Sequence, residues 1–246
     1  MTTYLITGAT GTIGTPTTAK LRAAGHEVRA LSRRSGPELA TGDLLSGTGV
    51  SAAMSGVDTV IHLATTNGAR DIRLAENLLS AAADAQVRHV VLLSIVGIDK
   101  IPMGFYRQRL EIESLALDSG VPLTLQRSTQ FHPFVEMLFN AQRFSPVLLT
   151  PSIRFAPIAP QDVAARLVEL ADQGPSGRVD DIGGPQIRTA ADLHAAWKDA
   201  RGSRRPAVPL RLPGKLFKAF AAGENLVPGT PFGQITFEQY LSDKYN

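Results

Sequence analysis

Near its start the chain runs an apolar stretch, Tyr4-Leu5-Ile6-Thr7, straight into Gly8-Ala9-Thr10-Gly11-Thr12-Ile13-Gly14. A strand that must turn within a few residues and start a helix needs glycine. Only glycine adopts positive φ freely and lets one backbone come close to another. The expected order is therefore strand, tight turn, then a helix over about residues 12 to 24 that ends at Gly25. Main-chain N–H groups at such a helix start suit a pyrophosphate, and the glycines allow its close approach. The spacing is G-x-x-G-x-x-G, distinct from G-x-G-x-x-G, and no Gly-Lys-Ser/Thr follows, so a P-loop is a poor match. A tight turn without ligand is the alternative reading.

The rest of the first half repeats this rhythm. Short apolar runs at Glu27–Leu31, Thr59–Leu63, His89–Ser94 and Pro122–Gln126 alternate with helical patterns at about 70 to 85 and 105 to 118. Continuous Val/Ile/Leu runs between helices mark strands of a parallel sheet covered on both faces. The expected fold class is α/β, a Rossmann-type doubly wound parallel sheet. Beyond residue 130 prolines multiply, at 133, 146, 151, 157 and 160 and again from 206 onward. Two helices are expected there, Gln161–Asp172 and Ala190–Asp199, the latter capped by Thr189. These features describe one unit over 1–246. Its core covers about 1–130 with elements from 131–200, and a smaller substrate lobe comes from about 131–160 and 200–235. Leu216 to Ala222, with Phe217 and Phe220, reads as a helix against a substrate crevice or as plain core packing.

The 246 residues include no cysteine, which excludes disulfides, thiolate nucleophiles and iron–sulfur clusters. A hydrophobic content of 43% with 19% charged residues excludes global disorder. No run reaches the ~20 apolar residues of a membrane span. The opening Met1-Thr2-Thr3 lacks the basic region of a signal peptide, so a cytoplasmic protein without membrane contact is expected. Histidine and carboxylate spacing suggests no metal site. Arg201-Gly202-Ser203-Arg204-Arg205-Pro206 is basic but has no interleaved aromatics, and a solvated loop is favoured over nucleic-acid binding. His62 and His132 read as structural residues.

The end of the second strand refines the ligand. In a dinucleotide fold an acidic residue there takes the ribose 2′-hydroxyl. This chain has Ser32-Arg33-Arg34, a hydroxyl and two guanidiniums suited to a 2′-phosphate, so NADP(H) is expected over NAD(H). Two solvated arginines are the bland alternative. Farther on, Gly42-Asp43-Leu44 places a carboxylate where an adenine amino group would need an acceptor.

With these residues in view, the chain resembles the short-chain dehydrogenase/reductase superfamily, in its atypical NmrA-like NAD(P)-binding branch. The resemblance rests on the Thr7-to-Gly14 loop, Ser32-Arg33-Arg34, Gly42-Asp43-Leu44, Ile61-His62-Leu63-Ala64 and Val91-Leu92-Leu93-Ser94. It continues through Phe105–Glu111, Arg127-Ser128-Thr129-Gln130-Phe131, Asp162-Val163-Ala164 and Thr236–Leu241. It implies phosphate contacts from Gly8 through Ile13, with Thr10, Gly11 and Thr12 between and Gly14 closing the loop. It also implies cofactor contacts from Ala64, Thr65 and Ser94, and nicotinamide-side packing by Gln130 and Phe131.

Typical relatives use Ser with Tyr-x-x-x-Lys. Ser94 stands at the matching strand end, but the second motif reads Phe105-x-x-x-Arg109. A phenyl ring has no proton to exchange. Arg109 keeps the positive charge and is expected to bridge ribose hydroxyls, yet it cannot act as a base. Tyr106 is the candidate replacement donor, although neighbouring helical side chains diverge by about 100°. Two functions stay open. One is an NADP(H)-dependent reductase of a small carbonyl, quinone or enone; the other is a non-catalytic NADP(H) sensor acting through a protein partner. Whether the chain is a monomer or a dimer is left open.

Overall fold

The computed structural model describes residues 2–245. β1 (Thr3–Thr7) runs into the glycine loop, and α1 (Gly14–Ala23) leads on to β2 (Glu27–Ser32) and the short β3 (Leu39–Thr41). The alternation continues with α2 (Val50–Met54), β4 (Thr59–His62), α3 (Arg70–Asp84), β5 (His89–Ile95), α4 (Gly104–Asp118) and β6 (Leu123–Ser128). There follow α5 (His132–Asn140), β7 (Leu148–Pro151), β8 (Arg154–Phe155), α6 (Pro160–Gln173) and β9 (Gly177–Arg178). The chain closes with β10 (Arg188–Thr189), α7 (Ala190–Arg201), β11 (Ala207–Leu210), α8 (Lys215–Ala222) and α9 (Phe237–Tyr245).

Seven strands form one parallel sheet in the order β3-β2-β1-β4-β5-β6-β9. The order reverses between β1 and β4, and in open α/β sheets the crevice at such a reversal is where ligands bind. Every residue of β4 and β6 is buried, as strands covered on both faces require. The chain divides into two compact units. The first takes the chain through Ser94 together with Gly104–Arg127 and Val163–Asp180; the second takes Ile95–Met103, Ser128–Asp162 and the chain from Asp181 onward.

In the first unit Leu5, Val60, Val90, Leu92 and Leu125 of the sheet pack against Leu74 and Leu78 of α3 and Ile112 of α4. One buried ion pair crosses this layer: Arg127 on β6 donates to Glu113 on α4 through Nε at 2.8 Å and Nη2 at 2.6 Å. β6 runs two residues past the expected Gln126, and Arg127 belongs to the strand because Glu113 satisfies its charge there.

In the second unit Val135, Phe139, Leu148, Phe155, Leu193 and Trp197 gather around Phe237 and Leu241 of α9. α7 begins with the expected Thr189 cap, whose hydroxyl accepts from the Asp192 amide at 3.1 Å while Asp192 accepts from the Thr189 amide at 3.2 Å. α5 is a helix that is not among the two expected beyond residue 130. Pro133 occupies the first helical turn, where its missing N–H is no loss. Glu136 on α5 holds α9: its buried carboxylate accepts from the Tyr240 hydroxyl at 2.5 Å, from Lys244 Nζ at 2.6 Å and from the Tyr245 hydroxyl.

Candidate active site

The loop after β1 is built by contact. Gly8 has φ 68°, and a Cβ there would lie 2.8 Å from the main chain of Leu63, at the end of β4. Gly11 donates its amide to Gly8 O at 2.9 Å, closing the turn. A Cβ on Gly14 would stand 2.1 Å from that same Gly8 oxygen. Gly8 and Gly14 are thus required by the close approach of β1, β4 and α1, and Thr10, Gly11 and Thr12 are left exposed at the rim. The first turn of α1 holds no acidic residue, and no side chain caps it at Ile13, so its positive end faces outward uncompensated. Replacing Gly14 by alanine is expected to destabilise the protein by about 1–3 kcal/mol through this overpacking. Calorimetric melting checks it, and an unchanged melting temperature would show that the turn yields.

Thr7 ties the ends of β1 and β4 together. Its Oγ1 accepts from the amides of Leu63 and Ala64, each at 3.1 Å, and lies 2.8 Å from His62 Nδ1. With both lone pairs engaged, the Thr7 proton goes to Nδ1, which leaves His62 neutral with its proton on Nε2. Burial, assisted by the nearby Arg109 charge, pulls the His62 pKa down to about 4. His62 is the satisfied structural histidine that its apolar strand suggests.

The loop after β4 carries a residue that the sequence did not mark. Asp71, in the first turn of α3, is 1% exposed. Its Oδ1 accepts from the Thr66 amide at 2.5 Å and the Thr66 hydroxyl at 2.7 Å; its Oδ2 accepts from the Thr65 hydroxyl at 2.5 Å and from Arg109 Nη2 at 2.7 Å. Burial alone would raise its pKa, but these hydrogen bonds and the Arg109 charge outweigh burial and hold the carboxyl below its ordinary value. Arg109 Nη2 also donates to Thr65 Oγ1 at 2.6 Å, and its guanidinium stacks 5.1 Å from the Phe105 ring one turn back. Phe105 and Arg109 therefore work as a packed pair, and that guanidinium nitrogen is committed to Asp71 and Thr65. Thr65 Oγ1 donates to Asp71 and accepts from Arg109 and from the Asn67 amide, which uses its full capacity.

The remaining expected residues fall into two groups. Ser32, Arg33 and Arg34 follow one another at the end of β2, with Ser32 Oγ accepting from the Arg34 amide at 3.0 Å. Both arginines are exposed, and among the described residues neither enters an ion pair. Asp43 and Leu44 follow β3; Asp43 Oδ1 accepts from the Leu45 amide, and Asn77 of α3 braces this loop by donating to Leu44 O at 2.7 Å. Ser94 lies near the C-terminal end of β5, 4% exposed, and its hydroxyl has no hydrogen-bond partner among the described residues. The neighbouring parallel strands β2, β1, β4 and β5 thus bring the loop, the two arginines, Ala64, Thr65 and Ser94 to the C-terminal end of the sheet. Tyr106 is buried on α4, its ring 6.3 Å from Phe105. Gln130 and Phe131 belong to the second unit, where both polar atoms of the buried Gln130 amide lack partners among the described residues.

Other side chains set aside in the sequence reading have internal tasks. His132 is fully buried, its Nε2 donating to Pro157 O at 2.9 Å. Arg201 and Arg205 of the basic loop lie over the Trp197 ring, and Arg205 also donates to Gln142 O at 2.6 Å. Among the described residues no group of His, Asp and Glu could hold a metal ion, and no helix is long and apolar enough to cross a membrane.

Comparison with known proteins bears on the family and the fold. Residues 8–117 match the model of an NAD(P)H-binding family. The (4-alkanoyl-5-oxo-2,5-dihydrofuran-3-yl)methyl phosphate reductase of Streptomyces griseus is 31% identical over 210 residues, 78% of this chain and 71% of that protein. The chain belongs to the NmrA-like, atypical short-chain dehydrogenase/reductase family. This NmrA-like protein is also 28% identical to the divinyl chlorophyllide a 8-vinyl-reductase of Oryza sativa, over 75% of its own length and 55% of the plant protein's. The NADPH-dependent quinone oxidoreductase of Escherichia coli shares its fold with a TM-score of 0.78 at 20% identity, covering 99% of this chain and all of that one. The triphenylmethane reductase of a Citrobacter species, solved with NADP(H), superposes with a TM-score of 0.70 at 20% identity, over 99% of the NmrA-like chain and 88% of its own. The family is one of NAD(P)H-binding reductases.

Proposed function

We propose that this chain is an NADPH-dependent reductase of quinones, enones or small carbonyl compounds. Ser94 carries the reading: a buried hydroxyl at the C-terminal end of β5 with no protein partner among the described residues. An unpaired buried polar group costs about 1–3 kcal/mol, and an acceptor oxygen would complete it. Relatives named as reductases support the reaction type.

The residues at the C-terminal end of the sheet fit a nicotinamide dinucleotide. The tight turn that Gly8 and Gly14 permit leaves Thr10, Gly11 and Thr12 exposed beside the unsatisfied start of α1, which suits a pyrophosphate. Arg33 and Arg34, whose side chains enter no ion pair among the described residues, suit a 2′-phosphate, and Asp43 suits an adenine amino group. Ala64 and Thr65 offer main chain and methyl surface, because their polar groups are engaged with Thr7, Asp71 and Arg109. When bound, the nicotinamide supplies the reducing equivalent. Ser94 donates its proton in a hydrogen bond to the acceptor oxygen, where negative charge develops.

Phe105 narrows the acceptor class. Reducing a simple ketone leaves a strongly basic alkoxide that needs a proton donor at hand, and a phenyl ring supplies none. A quinone or an enone instead leaves a delocalised phenolate or enolate, which a hydrogen bond from Ser94 can stabilise until solvent protonates it. Quinones and enones are therefore the preferred acceptors. A cofactor sensor without turnover is the second reading, and Phe105 is also the observation that favours it.

Fluorescence titration of NADPH and NADH, followed by NADPH oxidation against a panel of quinones, enones and aldehydes, tests both readings. NADPH is expected to bind more tightly, and quinones or enones to be reduced. Ser94→Ala is expected to lower kcat/KM about a hundredfold. Tight NADPH binding with no turnover on any acceptor would overturn the reductase in favour of the sensor.

A further inference from the structure

Between Ser32 and Thr41 the chain carries one carboxylate, Glu38. It lines a groove that also reaches the glycine loop. This groove of about 410 Å³ runs along α1, and its walls include Thr10, Thr15, Thr18, Arg22, Pro37 and Glu38. Thr10 brings the glycine loop into that wall. Thr18, one of the lining residues, is 9% exposed and its buried hydroxyl has no partner among the described residues.

Glu38 is set there by its backbone. It has φ 60°, a left-handed conformation that costs a non-glycine residue about 1–2 kcal/mol, and its carbonyl is pinned by the Ala30 amide at 3.2 Å. Its Oε2 meets Arg22 Nη2 at 2.8 Å. The two side chains are 68% and 42% exposed, so the contact is weak and exchangeable. A phosphate dianion offers the guanidinium a stronger, two-pronged partner than one carboxylate oxygen.

We propose that Arg22 and Glu38 form a charge gate on this groove: Glu38 occupies Arg22 in the free protein, and the phosphate that distinguishes NADPH from NADH takes Arg22 in its place. The gate rests on the NADPH reading above and adds two residues to it. Arg22 neutralises the carboxylate that would repel the phosphate, and then turns to the phosphate itself. Glu38 sets how strongly the phosphate must compete, which makes the pair a determinant of cofactor preference.

Dissociation constants for NADPH and NADH, measured by fluorescence titration on wild type, Glu38→Gln, Arg22→Ala, the double variant and Arg33→Ala/Arg34→Ala, decide the matter. Glu38→Gln is expected to tighten NADPH about fivefold by removing the competing charge. Arg22→Ala is expected to weaken NADPH about tenfold, and the double variant to recover part of that loss. NADH is expected to change by less than about twofold throughout, since it lacks the phosphate. NADH moving in step with NADPH, or Glu38→Gln weakening NADPH, would overturn the gate. If Arg33→Ala/Arg34→Ala abolishes the preference while Arg22 and Glu38 variants leave it intact, the gate fails and the NADPH reading stands. Equal affinity of the wild type for the two cofactors removes the NADPH reading, and the gate with it.

Discussion

Asp71→Ala is expected to destabilise the protein by about 3–5 kcal/mol, because it leaves the Arg109 guanidinium buried without its counter-charge. Arg109 is only 11% exposed and Asp71 1%. The carboxylate also organises Thr65 and Thr66, so three side-chain hydrogen bonds and one main-chain bond lose their acceptor together. The pair is costly to break and far less costly to remove. Asp71→Leu with Arg109→Met takes both charges out of the interior and is expected to recover most of the loss. Urea denaturation followed by circular dichroism measures both. A loss below about 1 kcal/mol for Asp71→Ala would mean that water reaches Arg109 and the pair behaves as a surface bridge.

Acid is expected to destabilise the fold in two windows. His62 and His132 are held neutral by burial, each with its pKa pushed down from 6.5 to about 4. The unfolded chain takes up these protons below pH 6.5, whereas the folded chain refuses them until about pH 4, so stability falls as pH drops across that interval. Each histidine contributes on the order of 3 kcal/mol at full effect. For His62 the cost has a visible cause: protonating Nδ1 sets it against the Thr7 hydroxyl proton, whose oxygen already accepts two amides. Glu136 acts lower. Burial would raise its pKa, but Lys244, Tyr240 and Tyr245 outweigh that and bring it from 4.5 to about 2. Its contribution is complete above pH 4.5 and is lost as pH falls toward 2. Stability measured by urea denaturation across these intervals checks the sign, and a level profile between pH 6.5 and 4 would contradict the histidine argument.

The parallel core was readable because its signals are local. Apolar runs and helical periodicity located β1, β2, β4, β5 and β6 within two residues, and the glycine spacing announced the turn between β1 and α1. What stayed hidden depends on partners distant in sequence. Asp71 resembles any acidic residue in a first helical turn, and only folding places Arg109 against it, 38 positions later. The same contact commits a guanidinium nitrogen that the motif alone offers to ribose hydroxyls. Glu38 lies outside the short motif Ser32-Arg33-Arg34, so its bearing on a phosphate needs the fold that sets it over α1. α5 was not expected because it begins inside a proline-rich stretch, although a proline in the first turn favours a helix start.

Trp197 is the chain's one tryptophan, and it sits at 1% exposure in the second unit, flanked by Phe139, His194 and the guanidiniums of Arg201 and Arg205. Its emission is thus an optical label for that unit alone, already installed and needing no engineering. Backbone ellipticity, by contrast, samples both units. Denaturation curves recorded by the two signals coincide if the chain melts as one cooperative body and separate if the units melt in turn, so a single cuvette can report how many thermodynamic domains the molecule has.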